Sequence, residues 1–183
     1  EDGVMKYEGH ESVFGKGMVS VYRDQWRAQR GAMQPAFQPA AIQSYTETMR
    51  DIVTGVINEI DDGQTIDARE RFTDLTMEIM LQTLFGGSGE RKKTISRAAA
   101  RITEWFLETA TAGDVPPEVQ SDYERGMDEL TTLIDGMVGD RRAGEGGGGL
   151  LSMMLELGPD SDAGYTDERI RDEMITMLFG AHE

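Results

Sequence analysis

Apolar side chains recur along this chain at helical spacing, broken by glycine, proline and acidic interruptions, and no strand-type alternation persists beyond a few residues. From Ala40 to Ile60 the stripe runs through Ile42, Tyr45, Met49, Ile52, Val53, Val56, Ile57 and Ile60, which predicts an amphipathic helix with one packed and one wet face. Asp61-Asp62-Gly63 ends it, and Asp67 is placed to cap a successor. In that successor, Ala68 to Phe85, the apolar residues Leu75, Met77, Ile79, Met80, Leu81, Leu84 and Phe85 cover most of the circumference, which predicts a central, enclosed helix. Glu90 to Ala112 is again helical in spacing, but its start at Arg91, Lys92 and Lys93 opposes the helix dipole and should fray. A break at Asp114-Val115-Pro116-Pro117 leads to a helix from Glu118 to about Arg142, with Val119, Tyr123, Met127, Leu130, Ile134 and Met137 on one stripe. The glycine run from Gly144 to Gly149 reads as a flexible connector. A short helix over Leu150 to Leu157, a loop, and a last helix capped at Thr166 complete an all-α pattern, read as a single partial domain over 1–183.

The stretch Asp24 to Phe37, DQWRAQRGAMQPAF, concentrates chemistry. With Asp24 as N-cap, Trp26 and Arg30 stand four residues apart on one helix face, with Arg27 to one side. An indole N–H and a guanidinium fork are both donors that stay donors near pH 7, so the pair suits a carboxylate. The same spacing also describes a Trp half-buried under a stacked Arg on a surface helix. Pro35 stops this helix. Upstream, the glycines of Gly15-Lys16-Gly17-Met18-Val19 suit a loop whose backbone can approach a ligand closely, but no Gly-Lys-Ser/Thr ending supports a phosphate loop.

Composition narrows the classes. The net charge is −16, from 34 acidic and 18 basic residues, and such a surface repels nucleic acid and anionic lipid. Of the cations only Lys6, Lys16, Lys92 and Lys93 are lysines, and that acid-rich, arginine-biased balance suggests adaptation to a salty, halophile-like cytoplasm. With no cysteine there is no disulfide or thiolate ligand in the chain. No apolar run approaches membrane-spanning length and no signal peptide is evident, so a cytoplasmic protein without a membrane span is the simplest expectation. The chain lacks an initial Met and stops within an apolar periodic run, which reads as a fragment cut at both ends.

Along the last helix Ile170, Met174, Ile175, Met177 and Leu178 form an apolar face running into Phe179-Gly180-Ala181-His182-Glu183. The small pair Gly180-Ala181 leaves room either for a flat ligand against the backbone or for close helix packing.

Two strings, in order, carry a resemblance. Trp26-Arg27-x-x-Arg30 followed by Pro35-Ala36-Phe37 resembles the C-helix signature of cytochromes P450, and Gly180-Ala181-His182-Glu183 is similar to the start of the I-helix motif, with its two small residues exchanged and the expected Thr beyond the end. The resemblance implies a partial P450 fold, helices C to I, truncated at both ends, with a mobile lid around Gly113 to Pro117. It implies a haem-thiolate monooxygenase using haem b (iron protoporphyrin IX), O2 and electrons from NAD(P)H through a ferredoxin- or flavodoxin-type reductase partner. Trp26 and Arg30 would hold a haem propionate, Gly180 and Ala181 would flank the porphyrin and the oxygen site, and Glu183 would feed a proton relay. Val19, Phe106, Met177 and Phe179 would contact a small apolar substrate. No residue here is expected to bind the metal: the proximal Cys lies outside this chain, and His182 is aimed away from the small pair's face. Alone, the fragment would be inactive. The alternative is a non-catalytic acidic helical bundle that binds a partner.

Overall fold

In the computed structural model, residues 10–86, 91–111, 114–145 and 148–182 are described. Among them there is no β strand; the order is α1 His10–Phe14, α2 Arg23–Met33, a 3-10 turn Gln34–Phe37, α3 Pro39–Asn58, α4 Ala68–Thr83, α5 Lys92–Thr111, α6 Pro117–Arg142, α7 Gly149–Leu157 and α8 Asp167–His182. None of these helices is long and apolar enough to cross a membrane. Glu183, and the Gly113 of the expected lid, lie outside the described residues.

The all-α pattern is as the spacing predicts, with four physical differences. The centre is α8, which packs against α1, α4, α5, α6 and α7, and whose Ile170, Glu173, Met174, Ile175, Thr176 and Leu178 are all buried. The second half of α4 is enclosed through Met77, Met80 and Leu81, but Phe72 in its first half is 66% exposed, so α4 is not the enclosed helix its composition suggests. The basic start of α5 is anchored: Lys92 reaches Glu78 at 3.3 Å and Asp74 at 3.5 Å, and Arg91 pairs with Asp140, so charge pairing with neighbours offsets the adverse dipole. Finally, the approach to α2 carries the five-residue helix α1, which the sequence pattern left irregular.

Caps fall where short polar side chains allow. Asp67 accepts from the Glu70 N–H at 3.0 Å and Thr166 from the Arg169 N–H at 3.3 Å, as expected. Asp24 is not the cap of α2: Tyr22 precedes the helix with no side-chain cap, and Asp24 inside the first turn pairs with Arg27 at 2.8 Å.

Antiparallel α5 and α6 form the longest helical pair. Gly126 lets the helices close, since a Cβ there would lie 3.1 Å from the Ala98 carbonyl oxygen. Trp105 stacks on Tyr123 with ring centroids 4.2 Å apart and donates to Gln120 at 2.8 Å. Arg141 and Arg142 at the end of α6 tie it to α4 and α8: Arg141 donates to the Phe85 carbonyl at 2.8 Å and Arg142 pairs with Asp167.

The expected flexible connector is partly docked. Gly149 has φ 76°, and a Cβ there would meet the Leu84 carbonyl oxygen at 2.4 Å, while Leu151 donates its N–H to that same carbonyl at 3.2 Å. Gly149→Ala therefore combines left-handed strain with a backbone clash, and is expected to lower unfolding free energy by roughly 1–3 kcal/mol in a denaturant titration. Gly136→Ala, whose Cβ meets open space within a helix, should gain up to about 1 kcal/mol in the same assay.

Candidate functional site

The loop between α1 and α2 lies directly on α8. Gly15, at φ 48°, and Gly17 carry no side chain where a Cβ would strike the Asp172 carboxylate at 2.4 Å and the Thr176 hydroxyl at 2.3 Å. The close backbone approach expected of these glycines is therefore made to a helix. Lys16 donates its N–H to Asp172 Oδ2 at 2.8 Å, Met18 donates its N–H to Glu173 Oε2 at 3.1 Å, and Gln29 of α2 donates Nε2–H to the Lys16 carbonyl at 3.0 Å.

Beside this loop an apolar hollow of about 340 Å³ opens. The loop contributes Val19, α5 contributes Phe106, and the end of α8 contributes Thr176, Phe179 and Gly180. Phe14 of α1 meets Phe179 edge-on with ring centroids 5.4 Å apart and completes the wall. Val19, Phe106 and Phe179, three of the four substrate contacts that the resemblance implied, line this hollow together with Gly180, which was expected beside the porphyrin. Met177 is not part of that lining; it is half-buried and packs against the core. The reason is angular: residues 176, 179 and 180 fall together on one helix face, and 177 points about 100° from 176. Thr176 carries no apolar signal, which is why sequence spacing alone passes over it.

Trp26 and Arg30 pair with each other rather than with this lining. The Arg30 guanidinium carbon sits 5.3 Å from the centroid of the Trp26 ring, Trp26 is 38% exposed and Arg30 is exposed. The exposed cation–π stack is thus the arrangement seen, and water is not excluded from it. Arg30 makes no ion pair among the described residues, since Asp24 is taken by Arg27. Its fork is available to an anion.

Glu173 is the buried acid that apolar spacing overlooks, although its place beside Met174 and three residues after Ile170 marks it as inward-facing. It is fully buried, and one carboxylate oxygen, Oε1, has no hydrogen-bond partner among the described residues. Burial pushes its pKa up to about 7, opposed by the Met18 N–H and the positive charge of Arg169. Burial likewise raises Asp172, against the Lys16 N–H, and raises the Tyr165 hydroxyl, which Glu173 raises further. No group of three or more His, Cys, Asp or Glu among the described residues is arranged to hold a metal.

The described geometry suits a haem in two respects. The Trp26–Arg30 pair presents free donors to an anionic group, and a Cβ at Gly180 would meet nothing within 4 Å, so the α8 backbone has open space beside it.

No family model matches the chain. Related proteins do. It is 28% identical to cyclooctat-9-en-7-ol 5-monooxygenase of Streptomyces melanosporofaciens, over 97% of this chain and 40% of that protein. It is 23% identical to pentalenene oxygenase of Streptomyces avermitilis, over 100% of this chain and 42% of that one. The bifunctional cytochrome P450/NADPH–P450 reductase 2 of Bacillus subtilis is 24% identical over 92% of this chain and 18% of its own length. The chain spans about 40% of the length of the first two relatives.

Gly180→Leu should fill the hollow without a clash. Uptake of the neutral fluorophore N-phenyl-1-naphthylamine is expected to fall several-fold, while helix stability changes by no more than about 1 kcal/mol in the favourable direction. Unchanged uptake would mean that the probe binds elsewhere.

Proposed function

The chain is a relative of the cytochromes P450 along nearly its whole length, and from that premise we propose that it is part of a haem monooxygenase acting on a small apolar organic substrate. The observation that carries the substrate side is the hollow built by Val19, Phe106, Phe179 and Gly180. Its walls are mostly apolar and offer dispersion, with Thr103 and Thr176 as the polar residues of the lining. That chemistry accords with two relatives named for oxidising cyclooctat-9-en-7-ol and pentalenene.

In this reading haem b, when bound, supplies the activation of O2, and the protein supplies position and surroundings. Trp26 and Arg30 would hold a propionate through charge-assisted hydrogen bonds. Gly180, with Ala181 after it, would flank the ring, and Glu183 would feed the proton relay. Electrons come from NAD(P)H through a ferredoxin- or flavodoxin-type reductase, a division of labour in keeping with the relative that is joined to a reductase. The axial thiolate has to come from outside these 183 residues, because they contain no cysteine.

Haemin titration tests the propionate role. Arg30→Ala is expected to weaken haemin binding about tenfold, the loss of roughly 1.5 kcal/mol from a charge-assisted hydrogen bond, with the far-ultraviolet dichroism unchanged. Equal affinity in the variant would leave Trp26 and Arg30 as a surface stack and favour the acidic-bundle alternative. The reduced carbon-monoxide complex of this chain should lack a thiolate-type Soret band, and the appearance of one would contradict the ligand assignment.

A further inference from the structure

How α2 is turned about its own axis decides where the Trp26–Arg30 pair presents its donors. Only two residues of α2 are buried, Gln29 and Met33, so its seat rests on one amide and one thioether. With about 100° of rotation per residue, Arg30 projects about 100° from Gln29 and Trp26 about 60°, both to the same side. Whatever holds Gln29 therefore aims the pair.

It is held by the backbone of a single residue. Gln29 donates Nε2–H to the Lys16 carbonyl at 3.0 Å, and Lys16 donates its own N–H to Asp172 Oδ2 of α8 at 2.8 Å. The peptide groups on either side of Lys16 have little room to slide, because Gly15 and Gly17 lie so close to α8 that a Cβ at either would strike Asp172 or Thr176. α2 itself packs on α7 and on the 3-10 turn that follows it. Gln25, one turn before Gln29, also faces Arg169 of α8, but Gln25 is exposed and water competes for that contact.

Stability alone would be served as well by an apolar side chain. Gln29 is fully buried, and its Oε1 has no partner among the described residues, a cost that a methionine in the same space would not carry. What the amide adds is direction, since a hydrogen bond constrains angle and an apolar contact does not. We propose that Gln29 is a positioning residue for the anion grip: its hydrogen bond to Lys16 locks the rotation of α2 against α8 and so presents Trp26 and Arg30 together. The effect on a ligand rests on the reading of that pair as the holder of a haem propionate; the locked rotation does not. A preset grip spares the ligand the cost of ordering it, so losing the lock lowers affinity through Arg30.

Haemin titration of the unmodified chain, Gln29→Met, Arg30→Ala and the double variant closes a cycle that isolates this route. Gln29→Met should weaken haemin binding about fivefold where Arg30 is present, within the roughly tenfold that Arg30 itself carries, and by less than about twofold where Arg30 is already Ala. A merely structural role would give equal losses in both backgrounds, and that result overturns the proposal. No loss in Gln29→Met beside a loss in Arg30→Ala overturns it as well, and leaves the propionate reading standing. The lock has a readout of its own in the fluorine NMR spectrum of the chain labelled with 5-fluorotryptophan, where Trp26→Phe assigns the signals of Trp26 and Trp105. In Gln29→Met the Trp26 signal should move and that of Trp105, on α5, should stay. If Arg30→Ala binds haemin as tightly as the unmodified chain, the propionate reading fails and the Trp26 signal alone decides the lock: an unmoved signal overturns it. Should Gln29→Met not fold, the isosteric Gln29→Glu, whose ionised carboxylate has no hydrogen to donate, replaces it in each comparison.

Discussion

The 3.1 Å hydrogen bond from the Met18 amide to the buried carboxylate of Glu173, beside that from the Lys16 amide to Asp172, joins the loop ahead of α2 to α8. A charged or half-charged acceptor inside a protein gains strongly from an N–H donor, and it loses strongly from leaving water. Here the loss is the larger effect, as the raised pKa records. The bond therefore offsets only part of the cost of burying the carboxyl. The same segment carries Val19 in the apolar wall and accepts from Gln29 of the helix that bears Trp26 and Arg30.

The face of α8 that meets this loop explains why two unlike hollows are neighbours. Asp172, Thr176 and Gly180 follow each other at four-residue intervals, so they line up along one side of the helix. The side chains change from a carboxylate, to a hydroxyl, to nothing. Asp172 can hold a backbone amide and borders water; Thr176 lies under Gly17 and turns its hydroxyl back to the Asp172 carbonyl at 2.9 Å; Gly180 leaves open space. A gradient of polarity along one helix face thus borders a polar hollow at one end and an apolar one at the other, with the loop laid across its middle.

How much of this was legible in the residues follows from what each inference rested on. Helix positions were readable, because periodicity and caps such as Asp67 and Thr166 are local, and local physics survives folding. Which helix is central was not, because composition counts apolar residues while burial depends on neighbours: Phe72 belongs to an apolar-rich helix and stands exposed. Val19, Phe106, Met177 and Phe179 were grouped only by a resemblance of order along the chain; three of them line one hollow beside Gly180, and Met177 turns away by one residue's rotation. Glu173 gave a readable signal, an acid beside apolar neighbours on a core helix, but its importance lies in a contact 155 residues away in sequence. Long-range contacts of that kind have no periodic signature. The loop glycines permit a close approach, and the one seen is to α8, since glycine states only that a side chain is absent.

The remaining features make sense together through charge. In a chain of net charge −16, most described arginines that could find a carboxylate did so, including Arg27 with Asp24 in the same helix turn. Arg30 lies on the next turn, where its contact is the face of Trp26, and its donors point to no acid among the described residues. Arg69 likewise has no carboxylate partner among the described residues, so Arg30 is set apart only by its stack on Trp26. Gly180 is the apolar counterpart: a stretch of helix surface beside aromatic and aliphatic walls with nothing filling the space over it. The two features stand on different helices, and only Gly180 belongs to the apolar hollow.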